Sequence, residues 1–366
     1  MNESVPASVS VVVAGCGAIT KFFYASALSW IESRGFVRIV ALCDPNDSNR
    51  HAIQKSFPKA QGFTRLEDAP IGEGTLVVVA SPPKLHGSQS IFALEHGAAV
   101  LCEKPMAASL AEAEAMAATA LRVGRPLAIG LYRRFFPAAR AIKDLVDRQS
   151  LGRVVSFEVE EGGAFRWEAA SDSFFRRETT PGGVLYDTGV HTLDLLLWWF
   201  GEPEGFEYRD DAAGGLESNC ALRLHYAKGV TGNVRLSRDW ATRNLFRVNF
   251  ESGSIAWHVG QAGKLALHIN GIEKVLSGDL LPMCDDGLNL HLPGEGEGSP
   301  QAFVRQILDI VKAMRTGSEL QIPAAEGLRS LRLIEACYAQ RQVLPEPWLS
   351  DAESAGLMRL ARERNV

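Results

Sequence analysis

The chain has 366 residues, and at about 100–200 residues per domain it is long enough for two domains. Hydrophobic residues make up 46% and charged residues 22%, a balance that excludes a mostly disordered chain. Lys and Arg number 38 against 43 for Asp and Glu, so the net charge of −5 lacks the basic excess of a nucleic-acid-binding protein.

The first 130 or so residues alternate short apolar runs with helical segments. Val9–Ala14, Val37–Cys43, Thr75–Ala80, Ala99–Cys102 and Leu127–Gly130 read as strands buried on both faces of a parallel sheet. Ser109 to Val123 reads as a helix, with a capping box from Ser109 and Glu112, a stop at Gly124 and Pro126 just beyond. Strands alternating with helices predict βαβ units in a doubly wound sheet. Beyond about residue 150 the period changes to two. Val154 to Glu160 alternates, as do the sets Cys220/Leu222/Leu224/Tyr226, Phe246/Val248/Phe250, Ile255/Trp257/Val259 and Leu265/Leu267/Ile269. This predicts a large, mainly antiparallel sheet with one polar face. A Gly/Pro/acid-rich loop follows over about 277–298. Ser299-Pro300 opens a helix that runs to about Arg315, and a last helix covers about Ala325 to Gln342. The fold class expected is α/β. A doubly wound N-terminal domain covers 1–131, and an α+β domain with a large open sheet covers 132–366.

No apolar run reaches the roughly 20 residues of a membrane span, and Asp194 interrupts the longest, Leu193 to Phe200. The first eight residues lack the positive charge of a secretory signal. The six cysteines (16, 43, 102, 220, 284 and 337) are scattered and form no C-x-x-C pair. A reduced, cytoplasmic setting is expected, without a disulfide framework, zinc site, membrane or nucleic-acid partner.

The first strand ends in Gly15-Cys16-Gly17-Ala18-Ile19-Thr20. Gly15 allows a tight turn and Gly17 the close approach of a pyrophosphate, while the following helix offers its N–H groups to that anion. Thr20 stands where the dinucleotide fingerprint has its third glycine. The second strand ends in Cys43-Asp44, 27 residues beyond Gly17, against the usual spacing of about 20. A carboxylate there accepts hydrogen bonds from the adenosine ribose hydroxyls and repels a 2′-phosphate, which favours NAD over NADP. Asp44 also suits the start of an Asp44-Pro45-Asn46-Asp47 turn. The fourth strand ends in Ser81-Pro82-Pro83 with His86 close behind, and the fifth in Glu103-Lys104-Pro105. Ligands bind at such carboxyl ends in open α/β sheets. Lys-Pro alone is also what a surface turn looks like.

These segments, with Glu95-His96-Gly97, Gly130-Leu131-Tyr132-Arg133-Arg134-Phe135 and the run Gly182-Gly183-Val184-Leu185-Tyr186-Asp187-Thr188-Gly189-Val190-His191-Thr192-Leu193-Asp194, resemble the glucose–fructose oxidoreductase / inositol 2-dehydrogenase / rhizopine-catabolism family. The resemblance covers nearly the whole chain. Pro181 departs from it, standing where many members have the first of three glycines. The resemblance implies a Rossmann domain and a C-terminal domain with a large open sheet. It also implies NAD(P)-dependent oxidation or reduction at a secondary alcohol or ketone of a sugar, sugar derivative or cyclitol. Lys104 matches the catalytic lysine, Asp187 the substrate-binding aspartate and His191 the proton-transferring histidine. The resemblance also implies that Glu103 and Lys104 flank the nicotinamide ribose, that Arg133 lies near the cofactor, and that Ser81, Pro82 and His86 belong to the cofactor side. The open sheet implies a homodimer or homotetramer.

The residue pattern supplies its own reading. Asp187, His191 and Asp194, spaced i, i+4, i+7, share one face of a helix ending near Phe200. His191 suits a general base near neutral pH, and Lys104 suits stabilising an alkoxide. Asp187 could equally serve as an N-cap, and the three polar groups could ligate a metal, although no third ligand is evident and redox chemistry needs none. The resemblance implies substrate contact in Gly163 to Trp167, upstream of its second signature, which makes Arg166 and Trp167 substrate candidates, Trp167 with core or interface packing as its alternative, while Arg176-Arg177 reads as a solvated pair. Two other functions stand beside the dehydrogenase: redox-assisted glycoside cleavage, and a non-enzymatic NAD(P)-binding regulator. The joint presence of Lys104, Asp187 and His191 argues against the regulator.

Overall fold

A computed structural model describes residues 8–166, 175–177, 179–213, 215–277, 299–345 and 349–363. The chain divides into two compact units. The first comprises the N-terminal part through Tyr132 together with Ser299–Leu328, and the second most of the remainder.

In the first unit, β1 (Val9–Ala14), β2 (Val37–Cys43), β3 (Gln61–Phe63), β4 (Thr75–Val79), β5 (Ala99–Cys102) and β6 (Leu127–Ile129) form a parallel sheet in the order β3-β2-β1-β4-β5-β6. This is the doubly wound order, and the strand sequence reverses between β1 and β4. The apolar runs form the central strands because they are covered on both faces: Val11, Val12, Val13, Val77 and Val100 are fully buried. Helices α1 (Ala25–Ser33), α2 (Asp47–Gln54), α3 (His86–Glu95) and α4 (Leu110–Val123) complete the repeats. Ser109 Oγ caps α4 by accepting the Glu112 N–H, and Gly124 ends it in the left-handed conformation. The short β3, on the sheet edge, lacks an apolar run and was not expected from the sequence.

The second unit holds α5 (Pro137–Asp147), α6 (Val190–Phe200) and a nine-stranded sheet of β7 (Val154–Gly162), β8 (Gly205–Asp210), β9 (Asn219–His225), β10 (Thr231–Ser237), β11 (Leu245–Phe250), β12 (Gly253–His258), β13 (Lys264–Ile269), β14 (Ile272–Ser277) and β15 (Gln342–Val343). The order is β14-β13-β12-β11-β7-β10-β9-β8-β15, and only β7–β10 and β8–β15 pair in parallel. One face packs on the helices: Trp199 of α6 meets Phe246 at 5.8 Å and Trp257 at 6.2 Å, and its indole N–H bonds the Ala139 carbonyl at 3.0 Å. The opposite face carries a cross-strand row of Glu207, Arg223, Asn233, Glu158 and Arg247.

Three more helices follow, α7 (Ser299–Thr316), α8 (Ala324–Ala339) and α9 (Asp351–Glu363), the last unforeseen. The division at 131/132 expected from sequence places α7 with the C-terminal domain. In the structure α7 packs on α1, with Phe303 against Phe23 at 5.1 Å, Tyr24 at 4.9 Å and Tyr132 at 4.8 Å. Among the described residues no helix is long and apolar enough to cross a membrane. Of the loop expected over about 277–298, Ser277 ends β14, and residues 278–298, like Trp167, lie outside the described residues.

Candidate active site

The turn after β1 is built by two glycines with different tasks. Gly15 has φ +97°, and a Cβ there would lie 2.6 Å from the Ala80 carbonyl group and the Ser81 nitrogen. It therefore permits both the backbone conformation and the close passage of the end of β4. A Cβ on Gly17 would enter open space, the room a pyrophosphate would take. The helix opens at Ala18-Ile19 and widens over Thr20–Tyr24 into a π turn before α1. Thr20 is fully buried and donates its hydroxyl to the Gly15 carbonyl at 2.6 Å. The residue in place of the third glycine thus ties the turn to the helix.

Asp44 closes the turn. Its Oδ2 accepts the Cys16 N–H at 2.8 Å, and its Oδ1 accepts the Asn46 N–H at 2.8 Å. The turn role read from sequence is the one these bonds show, and each carboxylate oxygen keeps a second lone pair that a ribose hydroxyl could use. The Arg50 guanidinium bonds the Asp44 carbonyl and pairs with Asp47. Burial pushes the Cys16 thiol up to about 12, so it stays protonated near neutral pH. The open Gly17, the helix N-terminus and the carboxylate at the end of β2 fit a dinucleotide.

At the ends of β4 and β5 the structure redirects two expectations. His86 is 1% exposed, with Nε2 at 2.8 Å from the Ser81 carbonyl and Nδ1 at 2.8 Å from the Pro105 carbonyl. It struts the two loops from inside rather than presenting a ring to a cofactor. Burial lowers its pKa. A neutral ring has one N–H to give, so the tautomer decides which carbonyl receives it. Glu103 likewise turns inward. Its carboxylate accepts the Tyr24 hydroxyl at 2.7 Å and the Lys104 N–H at 3.1 Å, and Gln306 of α7 donates to the Tyr24 oxygen at 3.2 Å. Burial pushes the Glu103 carboxyl up. Lys104 itself is half-buried at the mouth of β5, joined to Pro105 by a cis peptide bond. Ser81 donates its hydroxyl to Gln89 at 2.7 Å.

In the second unit, Arg133 makes a bidentate pair with Glu161 at 2.9 and 2.6 Å, and Glu161 also accepts the Thr192 hydroxyl at 2.8 Å. The arginine expected at the cofactor is thus engaged by β7. Arg134 binds Asp194 through both Nε and Nη2, with the shortest contact 2.6 Å and both side chains at most 5% exposed. Asp194, the third member of the polar face, is therefore a buried structural anion. Asp187 is no N-cap. The helix begins at Val184, and residues Leu185–Gly189 form a π turn that carries Asp187 ahead of α6. The insertion alters the i, i+4 geometry expected of an unbroken helix. His191 stands in the first turn of α6, 5% exposed.

Arg238 was not expected from the sequence. It follows β10 and donates from Nη2 to Asp187 Oδ2 at 3.2 Å, with its side chain 11% exposed. It lies 5.5 Å over the Phe165 ring, and Phe165 meets Phe175 at 5.1 Å. An Arg just past the polar end of a strand was the only available signal. Arg166, Arg176 and Arg177 are exposed.

Residues 139–256 match the model of the GFO/IDH/MocA C-terminal domain, and residues 9–131 that of an oxidoreductase family with an NAD-binding Rossmann fold. The D-glucoside 3-dehydrogenase of Escherichia coli is 27% identical over 53% of this chain and 54% of its own length, so the chain matches about half of that relative. A scyllo-inositol 2-dehydrogenase (NADP(+)) of Bacillus subtilis is 23% identical over 90% of this chain and 92% of its own. The solved structure of a levoglucosan dehydrogenase with NADH and levoglucosan superposes with a TM-score of 0.78 at 20% identity, covering 91% of this chain and 97% of that one, a likeness of fold. With both of its domains matched by the family's two models, the chain belongs to the GFO/IDH/MocA oxidoreductase family.

Proposed function

We propose that the protein is an NAD-dependent oxidoreductase that transfers hydride between the nicotinamide and a secondary alcohol or ketone of a sugar, sugar derivative or cyclitol. The observation that carries this reading is the turn after β1: closed by Asp44 on Cys16 and open over Gly17, it is shaped for a dinucleotide. Relatives named as sugar and inositol dehydrogenases support the substrate class. Bound NAD supplies the hydride chemistry. His191 takes the substrate hydroxyl proton as general base. Lys104 stabilises the charge that develops on the substrate oxygen. Asp187, oriented by Arg238, grips a substrate hydroxyl, and Arg166 and Trp167 belong to the substrate side.

The protein acts as a cytoplasmic homodimer or homotetramer, with no membrane or nucleic-acid partner. The row of alternating charge on the open face of the nine-stranded sheet supports self-association, since a two-fold pairing can set its acids against its arginines. Light scattering on the eluting protein tests this, and a monomer at working concentration removes it.

The activity is tested by screening sugars, sugar acids, cyclitols and sugar nucleotides with NAD and following NADH absorbance. Turnover of at least one member is expected. A protein that binds NADH and yet turns over none of the panel contradicts the reading.

A further inference from the structure

The helix carrying Asp187 and His191 opens on Gly182-Gly183, and neither glycine has a positive φ. Their smallness serves another purpose. A Cβ on Gly183 would lie 2.0 Å from the Glu217 carbonyl oxygen, and one on Gly182 would lie 2.0 Å from the Tyr338 hydroxyl. The glycines make room for a clamp.

Glu217 is 1% exposed. Its Oε1 accepts the N–H of Gly183 at 2.9 Å, the N–H of Leu185 at 3.0 Å and the Tyr338 hydroxyl at 2.7 Å. Its backbone carbonyl accepts the Val184 N–H at 3.0 Å. One residue therefore takes three successive amides at the point where a helix leaves its N–H groups without intrahelical partners. A carboxylate also suits the positive end of the helix dipole. Behind it Arg341 pairs with Asp210 at 2.6 Å and approaches Glu217 Oε2 at 3.6 Å.

The π turn with Asp187 follows the clamp directly. At its far end Gly189 rests on β10, where a Cβ would meet Leu236 Cδ1 at 2.8 Å. Held at both ends, the turn cannot rotate about its axis without breaking one contact or the other. We propose that Glu217, backed by Tyr338 and Arg341, is a positioning residue that sets where Asp187 and His191 stand. The proposal rests on reading those two residues as the substrate side.

The test uses the full chain carrying ¹³C-labelled histidine, with the His191 ring signal assigned by its loss in His191→Asn. Glu217→Ala is expected to move that signal beyond its line width while NADH affinity stays unchanged. Glu217→Gln, which keeps an acceptor oxygen for Gly183 and Leu185, holds the signal near its original place. On any substrate the screen finds, Glu217→Ala loses about 10²-fold in kcat, the cost of a misplacement on the order of 1 Å, and Glu217→Gln recovers most of it. An unmoved His191 signal in a folded Glu217→Ala protein overturns the proposal, as does Gln displacing the signal as far as Ala. If Glu217→Ala does not fold, Tyr338→Phe removes one of the three bonds and must move the same signal, or the proposal fails. A protein that turns over no polyol but shows the displacement loses the functional reading and keeps the clamp.

Discussion

Asp187 and Arg238 are 51 residues apart in the chain and 3.2 Å apart in the fold, the carboxylate on the π turn before α6 and the guanidinium just past β10. The Arg238 Nε is buried with no hydrogen-bond partner among the described residues. The Arg238 and Asp187 side chains nevertheless keep 11% and 23% of their surface exposed, so a hydroxyl-bearing ligand at Asp187 would meet the guanidinium beside it.

Replacing Arg238 with Ala should therefore act on substrate more than on cofactor. Asp187 loses the group that orients it, and KM for the polyol substrate should rise about 10-fold or more, with NADH affinity unchanged. Steady-state kinetics with a parallel NADH titration check this. An unchanged KM would remove Arg238 from the substrate side.

Asp44→Ser should have two effects that are read separately. Loss of the carboxylate at the end of β2 should narrow or reverse a preference for NADH over NADPH. Loss of the Cys16 acceptor should cost about 1–3 kcal/mol of stability, because that N–H is buried. Fluorescence titration reads the first effect and thermal unfolding the second. Tighter NADPH binding by the unmodified protein would contradict the assignment.

His86 gives a pH signature. Its folded pKa is lowered by burial below the unfolded value of about 6.5. The unfolded chain then binds the proton more readily, so the stability contribution is fully present above pH ~6.5 and is lost as pH falls towards the lowered value. Glu103, with its carboxyl pushed up, pulls the other way: its contribution is present below the unfolded pKa and lost as pH rises through the raised one. The difference between wild type and His86→Ala isolates the histidine. The variant should be about 1–3 kcal/mol less stable at pH ~7.5, and the gap should shrink on acidification. A gap that widens in acid would mean that the ring is charged in the fold.

Much of the first unit was legible because its signals are local. Apolar runs mark central strands, Ser109 and Gly124 mark the ends of α4, and Gly15, Gly17 and Asp44 sit where turn chemistry places them. What stayed hidden was contact between residues distant in sequence. Nothing near Glu217 or Arg238 says that they meet the Gly182–His191 segment, and a 3.6-residue period cannot reveal a π turn. His86 opens α3 just beyond β4 and Glu103 follows β5, where ligand contact is the usual inference, yet side-chain direction is decided by partners such as Pro105 and Tyr24. The amphipathic pattern of α7 announces a buried face without saying which core receives it.

Lys104→Ala and His191→Asn should both fold and bind NADH, and both should lower kcat. The loss for His191→Asn should be about 10²–10⁴-fold, the range of a positioned general base. The pH profile of wild-type kcat for oxidation should lose a limb in His191→Asn. Retention of both rate and pH profile would transfer the base role to another group.

Hydride transfer from a carbinol carbon to NAD is followed by isotope tracing. A substrate found in the screen is deuterated at the reacting carbon, and the NADH formed is examined by mass spectrometry. One deuterium per NADH is expected, with the rate of label transfer falling in Lys104→Ala and His191→Asn. Product oxidation that leaves NADH unlabelled would contradict it.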